Sequence, residues 1–337
     1  MTDASSPGPA ASPPAVSPEA APVTTAVTTP GATSRLGPTV MALAGALGIA
    51  FSAIFVRLSG TSPETAAFFR CAYAAPALFW LAAREGRPAG AAGAAGAGPA
   101  AARRLAWLAG LALAGDLVLW HHAIDAVGAG LATVLGNLQV VGVTLGTWLA
   151  LGERPSTRAL AAIPLALAGV VLISGVLEQG AYGADPARGG LLGIATAVAY
   201  SLYLILLRRV GQHGLGAAGS LARATAGSAA GIAAYGLLTG TLDLAFRWPA
   251  HGWLLALALG PQVVAWLLIT VSLPRLPAAG GSLLLLVQPV GSVVLGRLIL
   301  DEHPSLLQLG GVALILAGVV LASVKRPSAP RHPAAGR

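Results

Sequence analysis

The strongest constraint on the fold is a series of about ten apolar runs of about twenty residues each, the length at which a helix crosses the hydrocarbon core of a bilayer. Only 9% of the 337 residues are charged, too few to give a soluble chain of this size a polar surface. The sequence therefore predicts an all-α integral membrane protein with about ten transmembrane helices. We place these spans at 38–58, 64–83, 104–123, 128–151, 156–177, 188–207, 217–240, 252–273, 277–300 and 305–324.

The segments outside the spans lack large apolar side chains. Residues 1–37 and 325–337 are therefore predicted to be disordered tails, because they cannot bury enough surface to offset the entropy of ordering. The Ala- and Gly-rich stretch 89–102 is predicted to be a loop.

Arginine and lysine are distributed unevenly between alternate loops, and this bias predicts the orientation of the spans. If the N-terminus is cytoplasmic, most basic residues fall inside: Arg35, Arg84, Arg87, Arg103, Arg104, Arg154, Arg158, Arg208, Arg209, Arg223, Arg275, Lys325, Arg326, Arg331 and Arg337. Only Arg57, Arg188, Arg247 and Arg297 then fall outside. We therefore predict that both termini are cytoplasmic. The Ala-, Gly- and Arg-rich composition indicates a bacterial chain, and so the inner membrane.

Several function classes have no support in the sequence. The net charge of +8 is spread over single or paired basic residues, so no nucleic-acid partner is expected. The lone cysteine, Cys71, excludes an internal disulfide and a Cys-based metal cluster. There is no nucleotide-binding loop, catalytic triad or paired catalytic carboxylates in a soluble context. No cofactor, metal or catalytic residue is therefore expected.

The chain repeats itself, since 135–175 recurs at 284–324 without gaps. The sequence DLVLW (116–120) also matches QVVAW (262–266) once a few extra residues are allowed for. Matches between Leu, Val and Ala mean little in membrane sequences, so the polar matches and the prolines carry the argument. These pair Gln139 with Gln288, Glu153 with Glu302, Pro155 with Pro304, and Ser156 with Ser305.

The repeat divides the chain into two five-helix halves, 38–177 and 188–324, joined by an external linker at 178–187. Because five is odd, the second half must enter the membrane from the opposite side. Inverted repeats of this kind are typical of secondary transporters, whose substrate site lies near the midplane where the halves meet.

The helix junctions resemble those of bacterial drug/metabolite transporters with two EamA-type domains. The similar segments are LGERPS (151–156), LDEHPS (300–305), ALAGVVLISG (166–175), ILAGVVLASV (315–324), FSAIFVRLSG (51–60), TAAFFRCAYAAP (65–76) and ATVLGNLQVV (132–141). The resemblance covers about 40–324 and implies a ten-helix inverted-repeat fold with cytoplasmic termini. It also implies a central cavity lined chiefly by spans 1, 3, 4, 6, 8 and 9, and it leaves the substrate open.

Asp116 lies about eight residues from the external end of the third span, where an ionised carboxylate costs about 2.5–3.5 kcal/mol. It should therefore face a cavity or a partner. Either it couples transport to protons or binds a cationic group, or it pairs structurally with Arg57 or Arg70. Trp120 lies one turn further on the same face, and Trp266 at the matching position favours a cavity wall over simple packing.

Two histidines follow Trp120, and their side chains point about 100° apart. His121 is expected to face the cavity beside Asp116, whereas His122 and Asp125 should meet external water at the helix end. A zinc site needs three or four convergent ligands, so a metal site at these residues is the less favoured alternative.

Four amides lie at mid-membrane in the predicted spans: Asn137, Gln139, Gln262 and Gln288. They can bind a polar substrate or join helices, the latter usually worth about 0.6 kcal/mol. The pseudo-twofold relation of Gln139 and Gln288 favours a substrate or gate role. The GxxxG motif at 142–146 predicts close helix packing instead.

The leading hypothesis is a secondary transporter that moves a small polar metabolite or drug by alternating access. Export follows the tendency of the resembled family, whereas coupling to protons is a hypothesis that rests on the intramembrane carboxylate of Asp116. A membrane-embedded metal-dependent enzyme using His121, His122 and Asp125, or a non-transporting receptor, are the alternatives. The expected partners are a small-molecule substrate, protons and the lipid bilayer, with the chain either a monomer or a homodimer.

Overall fold

The structure is a computed structural model that describes residues 32–85, 99–152, 154–212, 215–276, 281 and 284–323. The predicted tail at 325–337, most of the tail at 1–37, residues 89–98 of the predicted loop and Glu153 lie outside these residues. The remainder of that loop is helical, because the third helix begins at Pro99 and not at 104. Proline is well tolerated in a first helical turn, and the Ala residues after it favour helix.

Every regular element of the described residues is a helix, which confirms the all-α fold class. The elements are α1 (Ala32–Ser59), α2 (Pro63–Arg84), α3 (Pro99–Val127), α4 (Ala129–Gly136), α5 (Gln139–Leu151), α6 (Thr157–Ile173), α7 (Pro186–Gln212), α8 (Ala217–Thr239), α9 (Ala250–Leu257), a π-helical segment (Ala258–Ala265), α10 (Trp266–Ser272), a 3-10 turn (Leu273–Arg275), α11 (Val287–Ile299) and α12 (Leu306–Ser323). The fourth predicted span comprises α4 and α5, and the eighth runs from α9 to α10.

Seven helical stretches of the described chain are long and apolar enough to cross a membrane, and α6 and α11 are shorter apolar helices. The helix α8 has 23 residues and is rich in Ala, Gly and Ser rather than in large apolar side chains. The chain is therefore a multi-pass membrane protein.

The fourth and ninth spans are irregular at positions that correspond in the repeat. In the fourth span, α4 ends at Gly136, Asn137 and Leu138 form a turn, and α5 begins at Gln139. Gly and Asn are poor helix formers, and the Asn137 side chain donates to the Thr133 carbonyl (2.8 Å). In the ninth span, Pro289 lies in the first turn of α11, where the N–H that proline lacks would have no acceptor within the helix.

Each half packs mainly on the other half. The helix α3 packs on α7 and α8, α2 on α8, α4 on α11 and α6 on α12, while α1 packs on α9, α10 and α11. Exchanging every span with the one five places away turns each of these contacts into itself or into another contact between the halves. The contact between α3 and α7, for example, becomes the contact between α1 and the eighth span. The packing therefore has the pseudo-twofold symmetry that an inverted repeat requires.

Small residues allow these helices to approach closely. A Cβ at Gly169 in α6 would lie 2.7 Å from the Gly311 carbonyl oxygen in α12, and a Cβ at Gly311 would lie 2.6 Å from the Gly169 carbonyl oxygen. Gly142 and Gly146 similarly place α5 directly against Ser201 and Ile205 of α7, which confirms the close packing predicted from the GxxxG motif.

The substitution Gly311→Ala is expected to lower the unfolding temperature, because its methyl would overlap the Gly169 carbonyl and overpacking costs about 1–3 kcal/mol. Gly310→Ala is a matched control, since the nearest atom to its added Cβ is Leu172 Cδ1 at 3.8 Å. Thermal unfolding of the purified protein in detergent measures both. Equal losses in the two variants would contradict this account of the α6–α12 contact.

Candidate functional site

A polar cavity of about 160 Å³ lies between the two halves. It has room for a small solute or for about ten water molecules. All six spans expected to line a central cavity contribute side chains, as do α2 through Arg70 and α8 through Leu221. Seven of the eight residues proposed from the sequence for substrate binding or translocation line it: Asp116, Trp120, Asn137, Gln139, Gln262, Trp266 and Gln288.

The cavity lies where the spans depart from regular α-helix. Asn137 lies in the break in the fourth span and Gln139 directly follows it. Gln288 lies in the first turn of α11, and Gln262 lies in the π-helical segment beside Pro261. Interrupted helices are how transporter sites commonly expose polar groups within the membrane, and single π-turns are frequent at functional sites.

Arg70 is held in the cavity wall by two of these residues. Its Nε donates to Gln262 Oε1 (2.8 Å), and its guanidinium lies 5.6 Å from the centre of the Trp120 ring. Gln262 and Trp120 thus position a cation, in addition to any contact they make with a substrate. The repeat alone did not indicate the contact between Arg70 and Gln262, because it pairs Gln262 with Asp116 and gives no information about α2.

Asp116 is 6% exposed and takes part in no hydrogen bond or ion pair among the described residues. Arg57, one proposed partner, instead lies 3.4 Å from Asp125 near the ends of α1 and α3, so its proposed pairing with Asp116 is wrong. Arg70 lines the same cavity as Asp116 but directs its hydrogen bond to Gln262. The carboxyl group is therefore left facing the cavity.

Two buried hydroxyls that face the cavity have no hydrogen-bond partner among the described residues, Ser52 Oγ in α1 and Thr196 Oγ1 in α7. These helices correspond to each other in the repeat. Hydroxyls in membrane helices often bond to their own backbone, as Thr144 does with the Val140 carbonyl (2.8 Å), so nothing in the sequence distinguishes this pair. Buried polar groups are normally satisfied, and a polar solute or water in the cavity would satisfy these two.

His121 does not line this cavity, contrary to the expectation that it stands beside Asp116. It is fully buried, and its Nδ1 donates to the Leu117 carbonyl, which rotates the ring away from the cavity. Within the described part of the chain, its Nε2 has no hydrogen-bond partner. The ring lines a second cavity near the ends of α1 and α3, together with Arg57 and Asp125.

His122 also differs from the expectation, because it does not simply meet external water. Its Nε2 lies 2.9 Å from Oε1 of the buried Glu64 carboxylate. His121, His122 and Asp125 thus have different partners and share no common centre. Nowhere in the described residues do three His, Cys, Asp or Glu side chains come together as a metal site would require.

The bond between Arg70 and Gln262 should appear as an energetic coupling. In a double-mutant cycle of Arg70→Met and Gln262→Leu, the expected coupling is about 1.5–3 kcal/mol, because the bond has a charged donor. Unfolding of the purified protein by added SDS measures the three variants. Additive effects would show that Gln262 does not hold Arg70.

The contact between His122 and Glu64 is expected to contribute more to stability than the one between Arg57 and Asp125. His122→Leu leaves the Glu64 carboxylate buried without its partner and should cost about 1–3 kcal/mol. Asp125→Asn breaks a half-exposed pair and should cost less than about 1 kcal/mol. The same unfolding assay compares the two, and an equal cost for both would contradict this ranking.

These features define a multi-pass membrane protein with two five-helix halves around a polar cavity. The family model of the EamA-like transporter family matches residues 38–175 and, a second time, residues 187–324. The chain therefore belongs to the EamA-like transporter family, whose members are transporters and not enzymes.

Two further comparisons identify similar chains. An uncharacterized protein of Pseudomonas aeruginosa is 33% identical over 229 residues, which cover 65% of this chain and 76% of that protein. A solved crystal structure has a TM-score of 0.56 at 20% sequence identity, covering 86% of this chain and 96% of that one. The second likeness concerns the fold alone.

Proposed function

We propose that the chain is a secondary active transporter that exports a small polar metabolite or drug across the bacterial inner membrane, with both termini cytoplasmic. The cavity between the halves carries this proposal. It lies where inverted-repeat transporters bind substrate, and its wall combines charged, amide and hydroxyl groups with two tryptophans. Alternating access then exposes the cavity to each side in turn.

The lining supports a small polar substrate. Gln139 and Gln288 occupy pseudo-symmetric positions and offer an amide from each half. The hydroxyls of Ser52 and Thr196, one from each half and without a hydrogen-bond partner among the described residues, add two further polar groups. Trp120 and Trp266 supply flat apolar faces, so a solute with polar groups around an apolar frame matches the wall.

Asp116 is the group proposed to couple transport to protons. A carboxyl group at membrane depth that faces a cavity and has no structural partner can take up a proton from one side and release it to the other. Protons entering from outside would then drive the substrate outward. Arg57 pairs with Asp125 and Arg70 donates its hydrogen bond to Gln262, which supports a coupling role for Asp116 over a purely structural one.

A thermal-shift screen of metabolites on the purified protein would first identify a ligand, and proteoliposomes would then test transport of it. Asp116→Asn is expected to abolish accumulation driven by a pH gradient, because an amide cannot carry the proton. Asp125→Asn is the control, since Asp125 is an exposed carboxylate of the same helix that lies outside the central cavity. Gln139→Ala should weaken counterflow through loss of a substrate contact.

Each outcome bears on a separate part of the proposal. If Asp116→Asn accumulates the ligand as the unchanged protein does, the coupling role is wrong. If a ligand that binds shows no counterflow with the unchanged protein, the transport function itself is wrong.

A further inference from the structure

Glu302 joins the two halves near one end of the molecule. It belongs to the connection between α11 and α12 of the second half, and it caps the first turn of α4 in the first half. Its Oε1 accepts from the Ala129 amide (2.5 Å) and its Oε2 accepts from the Gly130 amide (3.0 Å). The side chain is almost completely buried, so this charged cap is enclosed by the protein.

Three glycines make space for the carboxylate. A Cβ at Gly128 would lie 2.7 Å from Glu302 Oε1, one at Gly130 would lie 3.2 Å from Oε2, and one at Gly296 would overlap Oε2. Gly128 also has a φ of +89°, which lets the chain turn from α3 into α4 beneath the carboxylate.

Beyond this cap, α4 and α11 lie in direct backbone contact. A Cβ at Gly130 would lie 2.8 Å from Val293 Cα, and Ser292 Oγ donates to Thr133 Oγ1 (2.9 Å). Thr133 lines the cavity. The crossing of α4 and α11 therefore forms the wall that closes the cavity on the side of Glu302.

The two parts of the fourth span differ in burial. Residues 129–135 of α4 are all buried, whereas residues 139–147 of α5 are only partly buried. In the described part of the chain α5 packs on α7, and α11 packs on α1 and α4. The fourth span is thus most enclosed at the Glu302 end, where α4 packs on α11.

The surroundings of Glu302 make the cap strong but releasable. A carboxylate on two amides of a helix N-terminus is a charge-assisted contact that the helix dipole favours. Asp301 and His303 on either side are exposed, so water can replace the bonds once the cap moves. Burial, together with the negative charge of Glu302, raises the pKa of the neighbouring Tyr182, which keeps that phenol uncharged.

We propose that Glu302 is a positioning residue that latches one gate of the transporter. Its carboxylate holds the start of α4 against α11 while the cavity is closed on that side, and it must leave the two amides before the cavity opens there. This latch rests on the transport function proposed above. On the predicted orientation it is the external gate.

Accessibility of the cavity to a thiol reagent tests the latch without a substrate. The single native cysteine, Cys71, is replaced by serine, and Ser52→Cys places a near-isosteric thiol in the cavity wall. Intact cells are then treated with a membrane-impermeant maleimide. An exposed cysteine from Asp301→Cys, in a separate variant, verifies that this side carries Glu302.

In Glu302→Ala, the Ser52→Cys reporter should be labelled about tenfold faster, or more, from the side that carries Glu302. The reason is that two buried amides lose their charged partner. Glu302→Gln is nearly isosteric and should give a smaller rise, since its amide can accept from one of the two N–H groups only. Asp301→Asn is the matched control, whose side chain is 87% exposed and leaves α4 untouched.

A second variant should open the cavity on the same side by displacing the carboxylate of Glu302 without removing it. Gly296→Ala adds a methyl that would overlap Glu302, so it should also raise the labelling rate. Labelling by a membrane-permeant maleimide and elution as a single species verify that each variant is folded. An unchanged external rate in the folded Glu302 and Gly296 variants would overturn the latch and leave Glu302 as a structural cap only.

Failure of the latch and failure of the transport function give different results. Normal counterflow by the unchanged protein with no labelling response at Glu302 overturns the latch alone. A labelling response without counterflow supports the latch as a gate and counts against transport.

Discussion

The structure depends on close contact between helices that belong to different halves of the chain. Within a bilayer, lipid tails are as apolar as leucine, so helices associate through packing and through polar contacts. Gly169 and Gly311 allow α6 and α12 to touch backbone to backbone, and Gly130 does the same for α4 and α11. Because these contacts obey the pseudo-twofold symmetry of the repeat, they also fix where the interface between the halves can hold a cavity.

The cavity is the place where this packing is interrupted. The fourth and ninth spans lose regular α-helix at corresponding positions, and the eighth span changes to π-helix around Pro261. Polar side chains placed at these interruptions face inward, where neighbouring helices and enclosed solvent can meet their hydrogen-bonding needs. The hydroxyls of Ser52 and Thr196, which have no hydrogen-bond partner among the described residues, show that the protein alone does not meet all of these needs.

The spans, the helical class and the repeat could be predicted from sequence, because each follows from the length and order of apolar runs. The amides Gln139 and Gln288 were found through the repeat, which relates positions without any knowledge of packing. The contact of Arg70 with Gln262 was not predictable, since it joins α2 to the eighth span through a tertiary packing that no local pattern encodes. His121 was placed wrongly because helical periodicity gives a direction but not the ring rotation that its bond to Leu117 imposes.

The interleaving of the two halves has a consequence for how the protein is made. The first five spans leave the ribosome before the helices on which most of their surface packs exist. During that interval Glu302 and Gln262 have not yet been synthesised. The amides at the start of α4 and the guanidinium of Arg70 therefore lack their hydrogen-bond partners, although these groups already lie at or within the membrane. The first half therefore remains in the bilayer as a loosely packed group of helices. The final spans, which are synthesised last, complete the fold.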